Sequence, residues 1–268
     1  MKVKDKVLLV TGAGGGIGRE LVLQLVAKGA IVVGIDRNSD ALQETMTLAH
    51  APIEQCSSYV LDITDSAAIE TCVQEVVHRY GRIDGLINNA GIIQKFIPVQ
   101  ELTLTQCRTI MEVNFFGMLM LTQAVLPLLL TREEAHLVNV SSMGGFLPVP
   151  LQTIYGASKA AVKLMTEGLT AELRDSPVHV TLVMPGGVST NIMASAGIDM
   201  TKMMQSKAAQ SYQMVTPQFA AKKIIEAMEK DKQKVLIGSD AKTMDFLIRF
   251  APGFAKSLIA KMIDVPAH

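Results

Sequence analysis

The sequence predicts an α/β protein with one doubly wound parallel sheet of about seven strands and helices on both faces. Short apolar runs alternate with amphipathic helical stretches along most of the 268 residues. The runs carry Val, Ile and Leu at consecutive positions, which is typical of strands buried on both faces. No repeat or linker interrupts the alternation. Residues 1–238 are therefore interpreted as one domain, and residues 239–268 as an extension packed on it or on a neighbouring subunit.

The predicted strands follow one another at intervals that leave room for a helix between them. In chain order they are Lys6–Thr11, Ala30–Asp36, Ser57–Ile63, Ile83–Asn88, His136–Ser141, His179–Pro185 and Lys234–Gly238. One intervening helix begins at the capping residue Asp65 and ends at Gly81. Ligands of such sheets bind at the carboxyl ends of the strands, so the irregular segments that follow them should form the site. These segments are Gly91–Pro98, Ser142–Gln152 and Gly186–Thr216.

Composition and charge argue against several classes of function. Lysine plus arginine total 25, as do aspartate plus glutamate, so the basic face that a nucleic-acid partner requires is not expected. The three cysteines, Cys56, Cys72 and Cys107, and the five histidines show no metal-ligand spacing, so no metal site is predicted. The first residues enter a strand at once and lack the apolar segment of a secretory signal. Free thiols in a reducing cytoplasm are therefore expected.

The longest apolar stretch, Phe115–Leu130, is interpreted as a buried helix rather than a membrane span. It is too short for a confident span and contains Gln123 and Pro127. The sheet is expected to cover one side of this helix, and a second subunit the other.

A glycine-rich turn, Thr11–Gly18, joins the first strand to the first helix. Glycines let the backbone approach a pyrophosphate, and the helix N-terminus offers it N–H groups and partial positive charge. The spacing differs from the common G-x-G-x-x-G pattern, because Ile17 stands where that pattern has its last glycine. The turn alone is a weak signal, but its place between strand and helix favours a dinucleotide site over a mere tight connection. The residues expected to touch the cofactor are Gly12, Gly14, Gly15, Gly16, Ile17 and Gly18.

The end of the second strand indicates which dinucleotide binds. Asp36 lies eighteen residues after Gly18, where a carboxylate can accept hydrogen bonds from both adenosine ribose hydroxyls and repel a 2′-phosphate. Gly15 leaves the turn without a basic side chain, so NAD is favoured over NADP. Arg37 argues the other way, because it could swing onto a phosphate, although a solvated surface role suits it better.

Two further strand ends are predicted to complete the nucleotide site. Asp62 could bind the adenine amino group, with Ile63 supplying a backbone contact, or it could instead cap a helix. The compact turn of Asn89, Ala90 and Gly91 follows the fourth strand and is expected to touch the cofactor.

Tyr155 and Lys159 lie four residues apart in a helical stretch and therefore share one helix face. A phenol has a pKa of about 10, but a neighbouring ammonium, the positive end of a helix and an oxidised nicotinamide ring all favour the phenolate. Tyr155 could then remove a hydroxyl proton as hydride leaves the carbon, or supply the proton in the reverse direction.

Two more polar residues fit the same chemistry. Ser142 follows a strand thirteen residues before Tyr155 and could bond the same substrate oxygen, whereas Ser141 should bond the backbone. Asn114 is a polar residue in an apolar helix, where it could bend the helix and hold a water that links Lys159 to solvent. Each residue alone has an ordinary structural explanation. Their combination with the glycine turn favours catalysis.

Together these motifs resemble the short-chain dehydrogenase/reductase family, in its compact single-domain form with a Rossmann-like sheet and a Tyr-x-x-x-Lys pair. The matching segments run in the family's order from about Lys4 to Ile192. The resemblance implies an NAD(P)-dependent oxidoreductase of secondary alcohols and ketones, usually a homotetramer or homodimer. It implies the catalytic set Asn114, Ser142, Tyr155 and Lys159, with Lys159 also holding the nicotinamide ribose. It also implies nicotinamide contacts from Pro185, Gly186, Val188 and Thr190.

The substrate is predicted only by class. The residues expected to line its pocket are Ile93, Gln94, Phe96, Ser142, Met143, Gly144, Gln152 and Met193. The segment Asn191–Met214 holds five methionines, which form either an adaptable lid over a small apolar alcohol or ketone or ordinary core packing. Two alternatives to an active dehydrogenase stay open. One is a dinucleotide-binding regulator without chemistry, and the other is a membrane-peripheral enzyme acting on lipids, retinoids or steroids.

The extension Ser239–His268 alternates large apolar residues with Arg249, Lys256 and Lys261. A basic amphipathic helix of this kind could lie on a membrane surface. A contact with a neighbouring subunit or a lid over the substrate is favoured instead, because Pro252 and Gly253 interrupt a continuous helix.

Overall fold

Seven parallel strands form one sheet in the computed structural model, which describes residues 1–190 and 214–262. The strands are β1 (Val7–Thr11), β2 (Ile31–Asp36), β3 (Cys56–Val60), β4 (Gly85–Asn88), β5 (Ala135–Val140), β6 (Val178–Pro185) and β7 (Lys234–Ile237). Their order in the sheet is β3-β2-β1-β4-β5-β6-β7, which confirms the predicted doubly wound α/β class. The order reverses between β1 and β4, so the ligand crevice is expected beside their carboxyl ends.

Helices cover both faces of the sheet. They are α1 (Gly16–Ala27), α2 (Ser39–Ala49), α3 (Ser66–Tyr80), α4 (Leu104–Met111), α5 (Met118–Leu129), α6 (Thr153–Glu172), α7 (Pro217–Glu229), α8 (Ser239–Phe250) and α9 (Pro252–Met262). The capping signals of α3 act as predicted. Asp65 accepts a hydrogen bond from the Ala68 N–H at 3.0 Å, and Gly81 ends the helix with a φ of 72°.

Alternate residues of each strand point to opposite sides and build two apolar layers. On one side Leu8 and Val10 of β1 pack with Leu25 of α1 and with α7. On the other side Leu9 packs in the layer that contains Val125 of α5. The central strands are apolar at successive positions because both faces are covered.

The third strand is shorter than predicted. It was expected to reach Ile63 but ends at Val60, after which the Leu61 N–H still bonds to the Asp36 carbonyl at 2.9 Å. The Asp62 side chain then accepts the Thr64 N–H at 2.9 Å and turns the chain away from the sheet.

The apolar stretch Phe115–Leu130 lies at the end of a continuous helical segment, Leu104–Leu129, that would be long and apolar enough to cross a membrane. Its inner side is buried in the sheet layer through Leu121, Val125 and Leu129, as expected of a core helix. Its outer side exposes Phe116 and Leu130.

Two glycines of the glycine turn differ in how much room they leave for a side chain, and this difference can be tested. A Cβ at Gly18 would collide with the Gly12 carbonyl oxygen, whereas a Cβ at Gly15 would meet nothing within 4 Å. We expect Gly18→Ala to lower the free energy of unfolding by about 2 kcal/mol or more, because the turn must open to admit a methyl group. Gly15 has an extended φ of −167° at the N-cap of α1, so Gly15→Ala should cost less than about 1 kcal/mol. Chemical denaturation of both variants measures the difference, and equal losses would contradict this explanation.

Candidate active site

Thr11, the last residue of β1, fastens the glycine turn to the turn after β4. Its side-chain oxygen accepts hydrogen bonds from the Asn89 and Ala90 N–H groups, both at 3.0 Å. The Asn89 side chain donates to the Thr11 carbonyl at 2.9 Å. The side-chain amide of Asn89 is therefore engaged in holding the two turns together, and its predicted contact with the cofactor stays a prediction. No separate role was predicted for Thr11, although its position at the end of the strand was a usable signal.

A cavity of about 110 Å³ opens beside these two turns. It brings together seven of the predicted cofactor-contacting residues: Gly12, Asp36, Arg37, Asp62, Ile63, Ala90 and Gly91. Leu61, Ile92 and Val113 also line it, so the cavity has an apolar wall suited to an aromatic ring. This arrangement fits the adenosine half of a dinucleotide.

The Asp36 carboxylate lies over the glycine turn. One oxygen accepts the Gly14 N–H at 2.9 Å, and the other accepts the Asn38 N–H at 3.0 Å. Arg37 is exposed beside it. Arg19, which the sequence analysis did not single out, donates to the Gly14 carbonyl at 2.8 Å and is paired with Glu44. The Glu44 carboxylate therefore offsets the positive charge that Arg19 brings to the turn.

Asp62 does not cap a helix, because Asp65 caps α3. The hydrogen bond from the Thr64 N–H is the main cause that holds the pKa of Asp62 below its usual value. The Thr64 hydroxyl adds a second hydrogen bond at 2.8 Å, and the charge of Arg37 acts in the same direction. Asp62 is thus held as a carboxylate at the edge of the cavity, where it can accept hydrogen bonds.

Asn114 lies in a π-helical segment, Glu112–Gly117, between α4 and α5. Its amide accepts the Ile92 N–H at 2.8 Å and donates to the Ile92 carbonyl at 2.9 Å. A further donation reaches the Ser158 hydroxyl at 3.0 Å. The helix is thus distorted at Asn114, as expected, by a π-helical segment. Through these bonds the Asn114 side chain holds the chain after Gly91 against α6.

Tyr155 is half-buried in the first turn of α6 and faces Ser142. Burial raises the pKa of Tyr155 above its ordinary value of 10.0, and a hydrogen bond with Ser142 offsets part of that effect. The spacing of Lys159 and Tyr155 predicts that the Lys159 ammonium lowers this pKa. In the structure the Lys159 Nζ instead donates to the Val140 carbonyl at 3.1 Å. The protein by itself therefore holds Tyr155 as a neutral phenol, a form that donates a proton.

Lys159 is buried on the next turn of α6, 4% exposed. Burial lowers its pKa to about 8, because the ammonium loses its water. The Nζ lies 3.1 Å and the Asn114 Oδ1 3.2 Å from the position that a Cβ of Gly91 would take. A glycine at this position thus lets both side chains approach the turn at the edge of the cavity.

The two neighbouring serines have different contacts, as predicted. The Ser141 hydroxyl donates to the Lys159 carbonyl at 2.6 Å, so it bonds the backbone. The Ser142 hydroxyl accepts the Gly144 N–H at 3.0 Å and faces Tyr155. Gly144 itself lies against the ring, because a Cβ there would be 3.4 Å from the Tyr155 Cε1 atom.

Gln94 and Gln152, two of the predicted substrate residues, are buried and bonded within the protein. The Gln94 Oε1 accepts the Ile154 N–H at 2.9 Å and the Tyr155 N–H at 3.3 Å, and its Nε2 donates to the Leu151 carbonyl at 2.7 Å. The Gln152 Nε2 donates to the Gln94 carbonyl at 2.7 Å. The N-cap residue of α6 makes no side-chain capping bond, so Gln94 supplies the acceptor from another loop. Contact of either residue with the substrate stays a prediction.

The turn after β6 contains Pro185, Gly186, Val188 and Thr190. Thr190 lies against the glycine turn, with its Cγ2 3.1 Å from the Cβ position of Gly16. The Gly187 N–H donates to Asp240 at 2.8 Å, and the Asp240 carboxylate fills the space that a side chain at Gly186 would need. Asp240 belongs to α8 and was not identified from the sequence. Its position at a helix start just after the last strand was the only signal.

Met193 and most of the methionine-rich segment Asn191–Met214 lie outside the described residues. Ile93, Phe96 and Met143 are half-buried. Within residues 1–190 and 214–262, the site thus consists of a cavity with an apolar wall, a glycine turn, and the half-buried Tyr155 with the buried Lys159. Such a site suits hydride exchange with a carbonyl or hydroxyl carbon.

Comparison with known proteins agrees with this geometry. A family model described as short chain dehydrogenase matches residues 6–201. A provisionally assigned oxidoreductase of Mycobacterium tuberculosis, SadH, is 34% identical over 96% of this chain and 95% of its own length. The chain therefore belongs to the short-chain dehydrogenase/reductase family.

Solved structures show the same fold. A short-chain dehydrogenase/reductase of Burkholderia phymatum in complex with NAD superposes with a TM-score of 0.85, at 23% identity and full coverage of both chains. A short-chain dehydrogenase of Burkholderia cenocepacia J2315 in complex with NADP has a TM-score of 0.79 at 26% identity, covering 98% of this chain and 100% of that one. The present chain is thus an oxidoreductase of this family with a Rossmann-like fold.

The capping contact of Gln94 can be tested apart from ordinary helix capping. We expect Gln94→Leu to lower kcat more than about tenfold, because the Ile154 and Tyr155 N–H groups lose their acceptor and the first turn of α6 shifts. Gln106 is the matched control. It accepts the Thr103 N–H at 2.8 Å in the capping box of α4, and within the described residues its side chain bonds Thr103 alone. Gln106→Leu should lower stability by about 1 kcal/mol and leave kcat unchanged. Equal kcat values in the two variants would show that Gln94 has no positioning role.

Proposed function

We propose that the chain is an NAD-dependent oxidoreductase that interconverts a secondary alcohol and a ketone. The observation that carries this proposal is the position of the hydrogen-bonded pair Tyr155 and Ser142 one helical turn from Lys159, whose Nζ lies against Gly91 at the edge of the nucleotide cavity. A module that only binds a dinucleotide has no need of a phenol, a hydroxyl and an ammonium at this point.

The dinucleotide, when bound, supplies or accepts the hydride, and residues of this chain handle the proton. Tyr155 gives its hydroxyl proton to the substrate oxygen in reduction and takes it back in oxidation. Ser142 donates a second hydrogen bond to the same oxygen. The raised pKa of Tyr155 favours the neutral phenol, which is the form that reduction requires.

Lys159 is assigned to the ribose of the nicotinamide half, and Asn114 to holding the loop against which that ribose lies. The proximity of both side chains to Gly91 supports this assignment. Pro185, Gly186, Val188 and Thr190 are assigned to the nicotinamide, because the Thr190 side chain adjoins the glycine turn at Gly16.

An apolar substrate is favoured by the residues near Tyr155. Met143 lies in the turn that packs on α6, and Ile93 adjoins Gln94, which bonds the Tyr155 N–H. Both side chains are half-buried, as is Phe96 in the same loop as Ile93. The Gln152 Oε1 is a buried oxygen without a hydrogen-bond partner among the described residues, and it could accept a bond from a substrate hydroxyl.

We further propose a cytoplasmic homo-oligomer. The cysteines are free, and burial raises the pKa of Cys56 to about 11 and of Cys72 to about 12, so these thiols are unreactive. The exposed side chains Phe116 and Leu130 on the outer side of the α5 segment, with Leu164 on α6, offer an apolar surface for a second copy.

The proton-transfer role is tested by Tyr155→Phe. We expect kcat for ketone reduction with NADH to fall by about a hundredfold or more, because the substrate oxygen loses its proton donor. Binding of NADH, followed by fluorescence, should stay unchanged. Tyr80→Phe is the control, because within the described residues the Tyr80 hydroxyl bonds Ser57 and the Ile53 carbonyl and no residue of the site. Undiminished turnover in Tyr155→Phe across a panel of alcohols and ketones would refute the enzyme proposal.

The preference for NAD is tested at Asp36. Asp36→Asn removes the charge that repels a 2′-phosphate but keeps an oxygen for the Gly14 N–H. We expect the ratio of NADH to NADPH affinity to fall about tenfold in this variant. Asp40→Asn, an exposed change in the first turn of α2, should leave the ratio unaltered. A wild-type protein that binds NADPH more tightly than NADH would overturn the assignment.

A further inference from the structure

The outer face of α8 carries an unusual combination of exposed side chains. Lys242, Phe246, Arg249 and Phe250 stand at helical positions i, i+4, i+7 and i+8, which share one face. Phe246 is 61% and Phe250 74% exposed. Their rings contact each other with centroids 4.8 Å apart, so they form one apolar patch on the surface.

The two acidic residues of α8, Asp240 and Asp245, are bonded within the protein instead. Asp245 is 16% exposed and binds Lys234 and Arg249, both at 3.0 Å. The adjoining helix α9 has the same arrangement, with Phe254 61% exposed and Ala255 fully buried. Exposed Lys256 adds another positive charge. In the described part of the extension, aromatic rings and positively charged side chains are therefore exposed to solvent on the same helices.

A basic cleft lies next to this face. It has a volume of about 350 Å³ and is lined by α7, β7 and α8. Among the described residues its charged lining consists of Lys223, Lys230, Lys232, Lys234 and Lys242 and one acidic side chain, Glu226, which pairs with Lys223. The whole chain has a formal net charge of zero, so this concentration is local. Lys242 lines the cleft and begins the exposed stripe of α8, which makes the two features one surface.

We propose that this surface, formed by α8, α9 and the lysine cleft, binds an anionic lipid bilayer. Phenylalanine rings enter the boundary between headgroups and acyl chains, while lysines and arginines pair with anionic headgroups. A soluble phosphate compound would account for the lysines but not for the rings. A second copy of the chain would cover the rings but would bring like-charged clefts toward each other. The sequence alone favoured a subunit or lid contact, and the exposure of the rings beside the cleft reverses that preference.

This surface goes beyond the proposed oxidoreductase function and adjoins its site. α8 contacts the Met143–Gly145 turn beside Ser142, and its Asp240 binds Gly187. A bilayer on the outer side of α8 would therefore lie close to the approach to Tyr155. An apolar alcohol or ketone dissolved in lipid would reach the site from that side.

Co-sedimentation of the full chain with vesicles tests the proposal without any measurement of activity. We expect binding to vesicles of phosphatidylcholine mixed with phosphatidylserine, no binding to phosphatidylcholine alone, and weakening by salt. The double variants Phe246→Ser with Phe250→Ser, and Lys230→Glu with Lys242→Glu, should each lower the partition coefficient by about tenfold or more. Ile53→Ser, which is 57% exposed beyond the opposite edge of the sheet, and Arg174→Glu are the matched controls and should bind as the wild type does.

Circular dichroism and NADH binding identify variants that fail to fold, and for those Phe246→Tyr and Lys242→Gln replace the harsher changes.

Three results would overturn the proposal: no binding to the mixed vesicles, equal binding by all four variants, or binding to phosphatidylcholine alone with the same affinity. A halved solution mass of the phenylalanine variant, with vesicle binding intact, would assign the rings to a second copy. Displacement of the protein from vesicles by inorganic phosphate at equal ionic strength would assign the cleft to a soluble anion.

Discussion

The hydrogen bonds that join Thr11 to Asn89 and Ala90 determine where the nucleotide site lies. β1 and β4 are neighbours in the sheet but no hairpin joins them, so the turns that follow them must be held together by contacts between segments far apart in the chain. Thr11 offers both its side-chain oxygen and its carbonyl to the turn after β4. The glycine turn is thereby held against that turn, and the cavity that contains Asp36 and Asp62 opens beside both of them.

The catalytic end depends on neutral amides rather than on ion pairs. Asn114 and Gln94 each bind backbone groups of a distant segment, so α6 and the loop after Gly91 are held together without added charge. Burial is the largest influence on the pKa of both Tyr155 and Lys159. The amides of Asn114 and Gln94 carry no charge. A bound dinucleotide can therefore change the pKa of Tyr155 without opposition from a charged side chain in these contacts.

The C-terminal extension has an inner and an outer side with different roles. On the inner side Asp240 fills the space beside Gly186 and binds the Gly187 N–H, so α8 supports the turn assigned to the nicotinamide. On the outer side the same helix turns Phe246 and Phe250 to solvent. One helix thus connects a surface proposed to meet lipid with the floor of the proposed active site.

The sequence by itself determined the sheet, the glycine turn and the identity of Tyr155, Lys159 and Ser142 as a set. Those features are local: strand periodicity, glycine content and spacing along one helix or from one strand end need no knowledge of distant contacts. It also separated Ser141 from Ser142, but it misjudged the end of the third strand, which the side chain of Asp62 decides. Only the tertiary structure showed that Gln94 caps α6, that Thr11 and Asn89 join two strand ends, and that Asp240 supports the turn at Gly186. These contacts link segments far apart in the chain, and no local pattern encodes which polar side chain meets which backbone group. The pKa of Tyr155 also depends on the tertiary structure. Burial of the phenol raises it, and the Lys159 ammonium donates to the Val140 carbonyl instead of to the phenol.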